Sequence, residues 1–203
     1  MVTPITSITD NGTSLLFLTQ RNSERIATVL GRPHADARIR LAQYAAVSDS
    51  VFRKQVARSW VRIKLRGQRQ HLITALNKRA GNRRKLLAAS QRIDRCLERL
   101  AALTNYTIPT LMGIEGSASA AYFHAMPTLF APALNFSSRR RRPPPDPVNA
   151  VLSLAYTLLH HEAVSIAYAT GLDPYLGFLH APTHGRESLA CDLIEPLRPL
   201  VDR

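Results

Sequence analysis

Acidic residues are scarce in this chain of 203 residues, with 14 Asp and Glu against 27 Lys and Arg, a formal net charge of +13. The shortage is uneven: residues 53–85 hold twelve Lys or Arg and no acid at all. A surplus of this size suits a polyanionic partner, because cations that neutralise phosphates release condensed counterions. Nucleic acid is the first such partner and an anionic membrane surface the second.

Cysteine is rarer still. Cys96 and Cys191 lie far apart and outside any CxxC spacing, which excludes a disulfide framework and a structural zinc site and suits a reducing compartment. No GxSxG and no paired Cys and His motif supports nucleophilic serine or cysteine chemistry. The N-terminus lacks a basic stretch followed by an apolar one, and no later run approaches the roughly 20 apolar residues of a membrane helix. These absences predict a soluble, cytoplasmic protein with no membrane partner. Internal repeats are absent too.

What is present begins with 45% hydrophobic residues, enough for a buried core, in a length that suits one full domain and part of a second. Residues 13–30 read as a β-hairpin, two short apolar runs around "QRNSER". From about residue 35 the pattern turns helical. Helices are predicted over 35–47 and 49–80, with Val56, Trp60 and Ile63 as a core stripe, and then through Leu86, Ile93, Leu97 and Leu100. Pro109 and Gly113 mark a break before a helix starting near Glu115 and ending around Pro127. "SSRRRRPPPDP", residues 137–147, reads as a linker. A long, largely buried helix then starts at Asp146 or Pro147 and ends before Gly171. The fold class is mainly α, a helical domain over 34–203 preceded by a partial β-domain over 1–33.

Arg58, Arg62, Arg66 and Arg69 recur at helical spacing, so one helix face carries a row of guanidinium groups, with Lys64 among them. A solvated surface helix is the plain alternative. The lack of interleaved Glu removes the salt bridges such a face tends to use, and favours tracking of phosphates. Arg139, Arg140, Arg141 and Arg142 form a second basic element, either held near a duplex backbone or a basic loop.

The candidate catalytic groups are Glu115, His180 and the pair Asp192 and Glu195, which share a helix face three residues apart. One imidazole with carboxylate oxygens suits Mg2+ or Mn2+ in contact with phosphate. Gly113, Gly116 and Ser117 leave little bulk beside Glu115. Other readings stay open at this point: Asp192 and Glu195 pairing with Arg186 or Arg198, His184 as ligand, and a structural His180. His160 and His161 sit in an apolar helix, where packing or capping is expected.

"GIEGSASAAYF", "RRRRPPPDPVNAVLSLAYTLL", "GLDPYLGFLH" and "SLACDLIEPLRP", in this order and spacing, resemble the CRISPR-associated integrase family, which inserts new spacers into CRISPR arrays. "RSWVRIKLRGQRQHL" is similar to the family's preceding basic helix. The resemblance implies a β-rich domain joined to an all-helical catalytic domain. It implies a homodimer assembling with a small ferredoxin-like CRISPR partner, and Mg2+ or Mn2+ dependent joining of the 3′ hydroxyl of a captured DNA fragment to a phosphate at the CRISPR repeat, both of them duplex DNA. It places the metal ligands on Glu115, His180 and Glu195, with Asp192 and Asn149 in support and Tyr156 at a further motif position. It also implies that this chain carries only the last hairpin of the β-domain and stops before further helices, truncated at both ends. A DNA-binding remnant without catalysis and a transposase of a mobile element are the alternatives. Gly67, in the basic helix, is expected to weaken it by about 1 kcal/mol relative to alanine.

Overall fold

The computed structural model describes residues 15–19, 25–29, 34–78, 83–140 and 143–203. The apolar run Leu15–Leu18 (β1) pairs antiparallel with Arg25–Val29 (β2), Leu15 opposite Val29, with a bulge after Phe17. Seven helices follow among the described residues: α1 (Ala37–Ser48), α2 (Ser50–Lys78), α3 (Arg83–Ala102), α4 (Ile108–Ala125), α5 (Pro147–Ala169), α6 (Ser188–Ile194) and α7 (Arg198–Val201). Short 3-10 turns cover Met126–Leu129 and Pro132–Leu134. The architecture is mainly helical with a small hairpin.

Capping residues set the helix limits. The Asp36 carboxylate accepts the Arg38 N–H at 2.9 Å and opens α1. Asp49 serves two helices: its N–H donates to Ala45 O at 3.0 Å, closing α1, and its Oδ1 accepts the Val51 N–H at 2.8 Å, opening α2. Asp146 accepts the Asn149 N–H at 2.8 Å at the head of α5, and Gly171 ends that helix at φ 81°, a left-handed conformation that suits glycine.

The expected helix start near Glu115 is corrected. α4 begins seven residues earlier, at Ile108, because Thr107 caps it through the Thr110 N–H at 3.3 Å, and Pro109 sits in the first turn, where its missing N–H costs nothing. Glu115 therefore lies inside a helix.

The chain forms two compact units, one of residues 1–53 and 157–194, the other of 54–156 and 195–203. In the second unit α3 packs along α4, with Leu86, Ile93 and Leu100 buried on one side and Leu111, Ile114 and Tyr122 on the other. The buried face of α2 is Ala57, Val61, Leu65, Leu72 and Leu76, and it includes Lys64, Gln68 and His71. The expected stripe of Val56, Trp60 and Ile63 is corrected: Val56 and Trp60 are half-buried and Ile63 is exposed, because the face one position on turns inward. In the first unit Ala163, Val164, Ala190 and Ile194 form a core joined by Leu159, Tyr168 and Leu193.

α5 is long and apolar enough to cross a membrane by length and composition, against the expectation of no such run. It is nevertheless tied down by polar groups: Asn149, Tyr156 and His160 each form hydrogen bonds within their own unit.

Candidate active site

In the second unit, α4 carries Glu115, α2 carries Lys64, and Glu195 directly precedes the turn into α7. The Lys64 ammonium donates to Glu115 Oε1 and to Glu195 Oε2, drawing together two acids 80 positions apart in the chain. Its side chain is only 6% exposed, and those of Glu115 and Glu195 are 22% and 9%. This corrects the assignment of Lys64 to a DNA-facing row: α2 turns it inward, where two like charges need a cation between them.

Each acid keeps a second partner. Ser119, one turn after Glu115, donates to Glu115 Oε1 at 2.7 Å and accepts from Gln68 Nε2 at 3.1 Å. The Arg198 guanidinium lies 3.0 Å from Glu195 Oε1, so the open pairing of Glu195 with Arg198 is present. Gln68 is 1% exposed, and its Oε1 has no hydrogen-bond partner. Beside this pair the backbone of "GIEGS" is uncrowded, since a Cβ on Gly113 or Gly116 would meet nothing within 4 Å.

His180 and Asp192 belong to the first unit. Fully buried Asp192 accepts the backbone N–H groups of Phe178 (2.7 Å), Leu179 (2.9 Å) and His180 (3.1 Å), and the His180 ring through Nδ1 at 2.6 Å. A carboxylate that only accepts fixes the proton on Nδ1 and leaves the ring's lone pair on Nε2. Gly177 makes this approach feasible: a Cβ there would lie 2.7 Å from Asp192 Oδ2 and 2.8 Å from the Ser188 carbonyl. Sequence reading missed Gly177, although its place just before "FLH" is the available signal. Among the described residues no group of three or more His, Cys, Asp or Glu is gathered for a metal ion.

Asn149, expected to support the acids, is engaged elsewhere. It is fully buried, donates to Ser138 O at 2.9 Å and Asp146 Oδ2 at 2.6 Å, and accepts from Arg139 at 3.0 Å and the Arg140 N–H at 2.7 Å. The expected loose linker is thereby pinned at 138–140. Arg139 also donates to Ser153 Oγ at 3.1 Å and stacks on Tyr156, so it turns inward while Arg140 stays exposed. Arg141 and Arg142 lie outside the described residues.

The α2 arginine row divides. Arg58 donates to the Leu100 carbonyl at 2.6 Å and stacks on Tyr106, and Arg69 pairs with Asp94, so both serve the fold. Arg62 and Arg66 are exposed.

Two further titratable clusters escaped the sequence reading. In the second unit Tyr122 donates to Asp202 Oδ2 at 3.0 Å, Tyr156 to Asp202 Oδ1, and His71 Nδ1 to the Tyr122 oxygen at 2.6 Å. Burial, and then the Arg203 charge, pushes His71 down to about 4, and burial holds Asp202 above the usual carboxylate range. In the first unit His160 donates to Glu187 Oε2 at 2.9 Å. Hydrogen bonds to Cys191 first, and to Glu187 next, raise His160 to about 9. For Cys191 burial acts upward, but hydrogen bonds from His160 and Arg186 outweigh it and hold the thiol below its usual value.

The family model described as CRISPR associated protein Cas1 matches residues 3–203. The chain belongs to the Cas1 family. It is 39% identical to CRISPR-associated endonuclease Cas1 1 of Thermodesulfovibrio yellowstonii over 205 residues, covering 97% of this chain and 61% of that relative. A Cas1 protein from Thermotoga maritima superposes with a TM-score of 0.75 at 26% identity, over 97% of this chain and 60% of that one. A Cas6-RT-Cas1–Cas2 complex superposes with a TM-score of 0.77 at 27% identity, over 97% of this chain and 21% of its own. This Cas1 chain thus spans about three fifths of the length of its first relative.

Proposed function

We propose that this Cas1 chain is a divalent-metal-dependent DNA endonuclease and integrase of CRISPR adaptation. The observation that carries the reading is the convergence of Glu115 and Glu195, two acids of the family motifs, on one buried cation. An acid pair that needs a positive charge, flanked by uncrowded backbone and the unpartnered Gln68 oxygen, suits a hard cation with oxygen ligands. Glu115, His180 and Glu195 would hold Mg2+ or Mn2+, which when bound polarises a scissile phosphate and activates the attacking hydroxyl. Asp192 orients the His180 ring through Nδ1 and keeps its proton away from Nε2. Ser119 and Arg198 keep the two carboxylates in place. Exposed Arg62, Arg66 and Arg140 serve as contacts to the duplex backbone, with Arg58 and Arg69 holding their helix in position.

The partners in this reading are duplex DNA, a second copy of the chain and a small ferredoxin-like CRISPR protein. The domain boundary at 33/34 and a cytoplasmic place of action belong to the same reading. The test is Mn2+-dependent nicking or strand joining on a duplex fragment, expected to vanish in Glu115→Ala and in His180→Ala. Turnover that survives both substitutions overturns it.

A further inference from the structure

We propose that Lys64 is a built-in counter-cation that stands where the divalent ion binds and withdraws when that ion arrives, so that Lys64 sets the metal affinity of the site. This rests on the metal-dependent reading above. The first argument is electrostatic. Two nearly buried carboxylates cannot share a site without a cation, and Lys64 Nζ supplies one to both at once. A metal ion approaching Glu115 and Glu195 meets the same two oxygens, so ammonium and metal exclude one another.

The second argument is that the acids do not depend on Lys64 to keep their positions. Ser119 holds Glu115 at 2.7 Å, and Arg198 holds Glu195 at 3.0 Å, so the donor pair stays assembled after the ammonium leaves. Lysine suits an exchangeable role. Its ammonium is a compact point charge on a four-carbon stem, whereas a guanidinium would lock both acids in a planar fork.

The third argument is a place to go. Gln68 lies one turn further along α2, at the i, i+4 position that faces Lys64, and its buried Oε1 lacks a hydrogen-bond partner. An orphaned acceptor within one turn of a displaceable ammonium offers the retracted side chain a hydrogen bond. Exchange has a functional consequence. Lys64 and Arg198 together balance the two acids, and adding a divalent ion turns the cluster net positive, the sign that a phosphodiester requires.

The test is Mn2+ titration of the full chain, followed by the free-ion EPR signal, for the native protein, Lys64→Met and Glu115→Gln. Lys64→Met is expected to bind Mn2+ about tenfold more tightly, since no ammonium has to be displaced. Its melting temperature without metal is expected to fall, and to recover with Mn2+ by more than the native protein gains. Equal or weaker Mn2+ binding by Lys64→Met, with the native protein binding and Glu115→Gln not binding, overturns the role of Lys64 and leaves the metal reading intact. Mn2+ binding by Glu115→Gln equal to the native protein overturns the metal reading and this inference with it. If Lys64→Met does not fold, Lys64→Gln decides in the same titration: tighter Mn2+ binding than the native protein is expected, and equal or weaker binding overturns the proposal.

Discussion

Asp192 and Glu195 stand three residues apart, yet their charges are neutralised in opposite ways. Asp192 is held by three backbone N–H groups, which cannot leave without unfolding the segment around them, and by an imidazole. Glu195 is held by the side chains of Lys64 and Arg198, of which the Lys64 ammonium, on its flexible stem, can rotate away. A carboxylate bound to backbone is committed to structure, while one bound to side chains can be lent to a ligand. The comparison separates a carboxylate locked by backbone from one held by side chains, a distinction that spacing alone does not make.

The sharpest way to break this comparison is Asp192→Ala. Three N–H groups, those of buried Phe178 and Leu179 and of half-buried His180, lose their acceptor at about 1–3 kcal/mol for each buried one, so the urea midpoint is expected to fall by the equivalent of about 3 kcal/mol or more. Glu195→Gln keeps the volume and one hydrogen-bonding oxygen, and is expected to cost clearly less. An equal loss in both variants erases the distinction.

Next in size are two pH effects of opposite sign. His160 is raised to about 9, so its contribution is fully present below the unfolded value near 6.5 and is lost as pH rises from there through 9. His71 is lowered to about 4, so the unfolded chain takes up the proton first, and stability is lost as pH falls from about 6.5 towards 4. Each slope amounts to at most about 3 kcal/mol. His160→Gln is expected to flatten the alkaline limb of the stability curve and His71→Gln the acid limb, both read from urea midpoints across pH.

Gly177→Ala follows. Its Cβ would stand 2.7 Å from Asp192 Oδ2 and 2.8 Å from the Ser188 backbone, an overpacking worth about 2 kcal/mol in urea denaturation. The Cβ also displaces the carboxylate that orients His180, so metal-dependent nicking is expected to fall with stability. The smallest change in stability belongs to Arg62→Ala and Arg66→Ala. Each is expected to leave the melting temperature within about a degree of the native value. Each is also expected to lower the salt slope of DNA binding by about one. Arg58→Ala, by contrast, is expected to lower stability, because Arg58 caps the α3 carbonyls.

Local chemistry made much of this fold legible from sequence. The hairpin, the start of α5 beside Asp146 and its end at Gly171 rest on signals within a few residues of the feature itself. The start of α4 was obscured because a proline reads as a break until the Thr107 cap shows it in the first turn. Lys64 was hidden by its company: within twelve cations, nothing local marks the one that faces inward. Its direction depends on Glu115 and Glu195, which come from other parts of the chain, and so does the cluster of His71, Tyr122, Tyr156 and Asp202. The family motifs named the acids, while the cation between them, the glycine beneath Asp192 and the engagement of Asn149 with 138–140 depend on contacts between distant segments.

Asp49 has a consequence for how this chain can vary. Because one residue both closes α1 and opens α2, the junction has no slack. Inserting or deleting a single residue there would remove two caps together and rotate everything that follows on α2 by about 100°. Lys64 would then lose its place between Glu115 and Glu195, which Ile63 would take after an insertion and Leu65 after a deletion. The length of this junction should therefore resist change more strongly than the identity of the residues around it.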